Sequence, residues 1–162
     1  MNKFDEESFS NSKQDPPEVQ RLLNDDTALR FLIYWSWFES KCFDENMQIN
    51  KFRPFVNEVV VNKNFDPDAF KKAGKYFHKR YQNSTRFREL FNNRPEIPGF
   101  PDIINKKFED IDNYDLLFML VVVVYRYRNN IFHGSKGVES WLYYKEQIQL
   151  CNDIMWKLIS IY

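Results

Sequence analysis

Asp112-Asn-Tyr-Asp-Leu-Leu-Phe-Met-Leu-Val-Val-Val-Val-Tyr-Arg-Tyr-Arg-Asn-Asn-Ile-Phe-His133 is the stretch on which the fold turns. Its centre, Leu116 to Val124, is apolar at every position, and four successive valines carry high β propensity. A strand over 120–125 is the competing reading. Length decides against it. The segment runs from Asp112 to about Phe132 without a glycine or proline, too long for an ordinary strand and suited to a helix of several turns. Asp112 is placed to cap its start, and Gly134 to Gly137 ends it. A helix apolar all round belongs at a bundle centre or in a subunit interface. The apolar run is also far shorter than the ~20 residues that cross a bilayer.

The flanking segments are read the same way. Residues 1–15 are expected to be a flexible leader, and 16–162 a single helical domain. Pro16-Pro17-Glu18 opens a short helix through Leu23. Asp25 or Asp26 caps a long helix to about Phe43, whose Leu29, Leu32, Ile33, Trp35, Phe38 and Cys42 recur at helical steps and define its expected buried face. Residues 44–65 stay open, with Val59-Val60-Val61 as a short strand or a buried loop. Asp66-Pro67-Asp68 starts another helix, carrying Phe70, Ala73, Phe77 and Tyr81 on one side and basic residues elsewhere. A further helical piece covers Ser84 to Phe91. Residues 92–102, with Pro95, Pro98, Gly99 and Pro101, form a connecting loop. The last helix is expected over about Val138 to Ile161. The sum is an all-α bundle of four main helices plus short extra helices.

Composition agrees. Aromatics make up 18% of the 162 residues, Phe alone supplies 16, and glycine only 4, which favours a bulky helical core over a turn-rich β architecture. The 23 basic and 23 acidic residues cancel, so a polyanion must be met by a local patch and not by global charge. Cys42 and Cys151 lie in apolar periodic segments and read as reduced core thiols, not as a disulfide or metal site. The polar, acidic, proline-punctuated residues 1–18 lack the pattern of a signal or transit peptide, and the expected location is cytoplasmic. No phosphate-binding glycine loop, zinc-ligand set or serine elbow occurs, so neither a cofactor nor a metal is expected.

The chemistry concentrates where the apolar helix ends. Arg128 precedes His133 by five positions, about 140° apart around an ideal helix, with Asn129 on nearly the same face as the histidine. Arginine holds phosphate through a planar fork, and histidine moves protons near neutral pH. Cleaving RNA without metal needs one proton taken from a 2′-hydroxyl and one given to the leaving 5′-oxygen. One histidine is thin for that task, whereas two copies about a two-fold axis supply two.

These residues, Arg128-Asn129-Asn130-Ile131-Phe132-His133 after an apolar helix and before another long one, resemble the Arg-X4–6-His motif of the HEPN (higher eukaryotes and prokaryotes nucleotide-binding) superfamily. The resemblance spans roughly 25–43 and 112–161. It implies a small helical bundle acting as a homodimeric, metal-independent RNA endonuclease that leaves 2′,3′-cyclic phosphate ends. The implied setting is a toxin or antiviral defence system, with an antitoxin or defence-complex protein as partner and no membrane. Arg128 and His133 would be catalytic and Asn129 supporting; Glu39 joins the supporting residues on separate grounds, as an acid placed to partner Arg128. Ser135 stands where many toxin members have a tyrosine. Some members are inactive modules that bind RNA, a nucleotide or a protein, and that is the alternative.

Each residue also has a plainer reading. Arg128 can pair with Glu39 across the bundle, and a buried Glu39 needs such a partner. His133 can serve only as a helix-terminal cation. His78 reads as a solvated residue in a charged strip. Lys79 and Arg80 from that strip, with Arg126 and Lys136, are the candidate RNA-backbone contacts, and Tyr76 or Tyr81 could stack on bases. A helix needs a polar face in any case.

Overall fold

The computed structural model describes residues 15–133 and 139–162, with His133 and Glu139 described by backbone alone. Residues 1–14, expected as part of the leader, and the helix break expected over Gly134–Gly137 lie outside the described residues. Among those described there are nine α-helices and no strand. They are α1 (Pro17–Leu23), α2 (Asp26–Phe43), α3 (Phe52–Asn62), α4 (Asp68–Tyr81), α5 (Ser84–Phe91), α6 (Phe100–Asn105), α7 (Asn113–His133), α8 (Glu139–Tyr143) and α9 (Lys145–Ile161). The class is all-α, with α2, α4, α7 and α9 the longest.

The valine run is helical. Every residue from Leu116 to Val124 is buried, and α7 packs against α3, α4, α5, α6 and α9, while α2 lies along α9. A valine costs a helix at most about 0.7 kcal/mol in propensity, whereas burying its side chain contributes about 1.5 kcal/mol or more. Burial wins. Asp112 caps the helix as expected, its Oδ1 accepting from Asp115 N at 2.8 Å.

Local start signals behave as their chemistry dictates. Asp25 Oδ1 accepts from Thr27 N at 2.9 Å at the head of α2, and Asp66 Oδ1 from Asp68 N at 3.0 Å before α4. Asn83 Oδ1 accepts from both Thr85 N and Arg86 N at the head of α5.

Three expectations are corrected. Val59-Val60-Val61 is neither strand nor loop: it belongs to α3, whose Phe52, Phe55, Val56 and Val59 are buried at helical steps. The buried face of α2 is carried by Phe31, Trp35, Phe38 and Cys42, while Leu29, Leu32 and Ile33 are exposed at 57%, 39% and 52%. The rings fill the core against α9 and α3 and turn the smaller aliphatics outward. The last helix is two pieces, α8 and α9, separated at Tyr144 (φ −99°, ψ 20°), whose ring meets Tyr127 edge-on at 6.0 Å.

Candidate functional site at the end of α7

Arg128 is half-buried on the last turns of α7. Its guanidinium lies over the Trp35 ring of α2 at 5.4 Å and over the Phe132 ring at 5.2 Å. Its Nη1 donates to Asn129 Oδ1 at 3.0 Å, and Asn129 is itself buried. Two aromatic rings and one amide therefore position the fork, at cation–π gains of about 0.5–1 kcal/mol each for partly exposed positions.

Glu39 stands behind this cluster. Its Oε2 accepts from Trp35 Nε1 and its Oε1 from Met47 N, both at 3.1 Å. The carboxylate thus anchors the indole on which Arg128 rests, so the two residues are linked through Trp35. A carboxylate engaged by two donors steadies the indole beneath the guanidinium.

His133 closes α7 five positions after Arg128. Its side chain, and Lys136 with it, lies outside the described residues. Arg128, Asn129, Glu39 and the backbone of His133 are therefore the predicted site residues that the fold brings to this end of the bundle. Trp35 and Phe132 were missed as parts of the cradle. Their signal was present: Phe132 follows Arg128 by four positions, one turn on the same face, and Trp35 precedes Glu39 by four.

The remaining basic candidates separate. Arg126 is buried, not available to a nucleic-acid backbone: its Nη2 donates to Pro95 O at 2.7 Å and its guanidinium covers the Phe91 ring at 4.8 Å. It ties the 92–99 loop to the core, and burial pulls its affinity for the proton down. His78 is buried too, with Nε2 bonded to Lys106 O at 3.1 Å and its ring against Phe108, so the solvated reading is overturned. The small faces of Ala73 and Gly74 on α4 let that side of the helix sink into the core. Tyr81 is also buried and donates to Tyr127 Oη at 3.2 Å, which removes it as a stacking platform. Tyr76 donates to Glu146 at 3.0 Å. Lys79 is exposed, and Arg80 is half-buried at the edge of a cleft.

Both cysteines are buried free thiols. Burial pushes Cys42 up to about 12 and Cys151 well above its ordinary value, so both stay protonated at neutral pH. Among the described residues no three of His, Cys, Asp and Glu gather to hold a metal ion, and no helix is long and apolar enough to cross a membrane. Compared with protein-family models, curated proteins and solved structures, the chain finds no match in any of the three.

Proposed function

We propose that this chain is a metal-independent RNA endonuclease of the HEPN type, working in the cytoplasm as a homodimer in a toxin or antiviral setting. The observation that carries the reading is the cradle of Arg128: a guanidinium within 5.4 Å of the Trp35 ring and 5.2 Å of the Phe132 ring, five residues before His133. Such a fork is preorganised to meet the charge that develops on a phosphorane.

In this reading His133 of one protomer takes the proton from a 2′-hydroxyl, and that oxygen attacks the adjacent phosphorus. The bond to the 5′-oxygen breaks as a second His133, across the dimer axis, returns a proton to the leaving oxygen. The products are a 2′,3′-cyclic phosphate and a 5′-hydroxyl. Self-association is supported by the exposed strip of Leu29, Leu32, Ile33 and Trp37 on α2. At 100° per residue the strip begins about 60° round α2 from Trp35, beside the Arg128 cradle. An antitoxin or a larger defence assembly would be the protein partner.

The test is RNA cleavage with EDTA present. Arg128→Ala and His133→Ala are each expected to lower the rate by about 10²-fold or more, with circular dichroism and dimer mass unchanged. Cleavage that survives either change, or that needs a divalent metal, refutes the mechanism. One observation favours a second reading: Arg128 commits Nη1 to Asn129 and its faces to two rings, as a structural strut would. A non-catalytic module that binds RNA, a nucleotide or a protein predicts a mobility shift in the same gel with no product.

A further inference from the structure

On the other side of α7, a cleft opens between α4, α5, α7 and α8. Asn130, two positions after Arg128 and therefore about 200° round the helix, lines it together with Arg80, Arg86, Glu89, Tyr127 and Tyr144. We propose that this cleft binds a phosphate monoester group, separately from the Arg128 cradle.

Charge is the first argument. Two guanidiniums, Arg80 and Arg86, border the cleft against one carboxylate, Glu89, which lies 3.4 Å from Arg86 Nη1. Arg80 has no acid within ion-pair distance among the described residues, and its buried Nε finds no hydrogen-bond partner there. A half-buried cation in that state is ordinarily matched by an anion. Two guanidiniums less one carboxylate leave a single positive charge, which favours an anion in the cleft.

Hydrogen-bond accounting points the same way. Tyr81 donates its proton to Tyr127 Oη, which leaves the Tyr127 proton to be given into the cleft. Asn130 Nδ2 donates to Leu90 O at 2.9 Å, fixing the amide so that Oδ1 is a buried acceptor with no partner. A ligand that completes the site therefore accepts from Arg80, Arg86 and Tyr127 and donates one hydroxyl to Asn130. A phosphate monoester on a ribose offers both.

Size narrows the class further. The interior measures about 40 Å³, and one water needs on the order of 10–15 Å³ on that scale. The enclosed space holds about three water-sized groups, enough for phosphoryl oxygens and one adjoining hydroxyl and not for a strand threaded through. Leu90 and Ile131 close the rest with apolar surface. The phosphate must come from a free nucleoside monophosphate or from the phosphorylated end of an RNA.

The experiment titrates the full chain with adenosine 5′-monophosphate, adenosine, inorganic phosphate and a short RNA carrying either a 5′-phosphate or a 5′-hydroxyl. Binding is followed by calorimetry and by thermal midpoint. The phosphate-bearing probes are expected to bind saturably and adenosine not to. A preference of the phosphorylated over the hydroxyl RNA identifies a strand end as the source, and equal RNA binding with tight monophosphate binding identifies the free nucleotide. Arg80→Gln is expected to weaken phosphate binding at least tenfold.

Arg86→Gln is the second variant, because Arg86 is only partly buried, with contacts to Glu89 and Tyr143 at the cleft edge, and it belongs to no core cluster. It should weaken the same probes severalfold. Binding unchanged in Arg86→Gln, or reproduced by sodium chloride at equal ionic strength, overturns the proposal. Running the series in Arg128→Ala protein separates the two sites: phosphate binding is expected to persist there whether or not the nuclease reading stands.

Discussion

Arg126 and Arg128 sit two residues apart in Tyr-Arg-Tyr-Arg, yet the fold gives them opposite surroundings. Arg126 is 3% exposed, hydrogen-bonded to a loop carbonyl and covered by Phe91. Arg128 is half-buried, flanked by rings and by the amide of the next residue. A two-residue step turns about 200° on a helix, enough to carry one side chain into the core while its neighbour edges towards solvent. The lesson is that identical residue types in one motif separate by what surrounds them. A guanidinium that closes a backbone carbonyl ties a loop to the core, and one set between ring contacts at a helix end keeps a half-exposed position.

Stability measurements can break this contrast. Arg126→Ala is expected to cost about 2–4 kcal/mol in urea denaturation, since it strands Pro95 O and opens space beside Phe91. Arg128→Ala should cost less, about 1–2 kcal/mol, the scale of two partly exposed cation–π contacts. Equal losses, or the reverse order, would show that Arg128 is the strut. A smaller effect sharpens the picture at the head of α2. Asp25→Ala is expected to cost about 1 kcal/mol, through loss of the cap on Thr27 N.

The same aspartate sets a pH window. The Lys145 ammonium beside it, 2.7 Å away, holds its carboxyl below the usual carboxylate range, and the Thr27 hydrogen bond adds to the effect. A depressed carboxyl contributes stability above its unfolded value of about 3.9 and loses it as pH falls through the lower folded value. The midpoint of wild type should therefore drop across that acid range by more than that of Asp25→Asn. Parallel curves would remove Asp25 from the account. The smallest expected effect is none at all: at pH 8 a thiol-alkylating reagent should leave Cys42 and Cys151 unmodified until the chain is unfolded. Rapid labelling of native Cys42 would contradict its burial.

Much of this architecture was legible in residue order. Asp25, Asp66 and Asp112 announced helix starts, and the uninterrupted length from Asp112 outweighed the β preference of the valines. What failed was judgement of competition. On α2 all apolar residues looked alike, but Phe31, Trp35 and Phe38 exclude more water per position than Leu29 or Ile33, so the rings took the core. On α3 the valine triplet hid the wider Phe52, Phe55, Val56, Val59 spacing. His78 looked solvated because its sequence neighbours are charged, whereas burial follows helix face and not adjacency. At the candidate site, Arg128 and His133 were visible as a spacing, but the Trp35 contact depends on α2 meeting the end of α7. The Arg80–Asn130 cleft joins residues 50 positions apart and left no local trace.

The half-exposed indoles of Trp37 and Trp156, 6.0 Å apart and bordered by Tyr34, amount to an optical label built into the outer face where α2 meets α9. Any molecule that covers this face dehydrates both chromophores together. Emission should then shift to the blue and resist iodide quenching, so that occupancy can be followed by light alone, without a dye, a tag or a change to the chain.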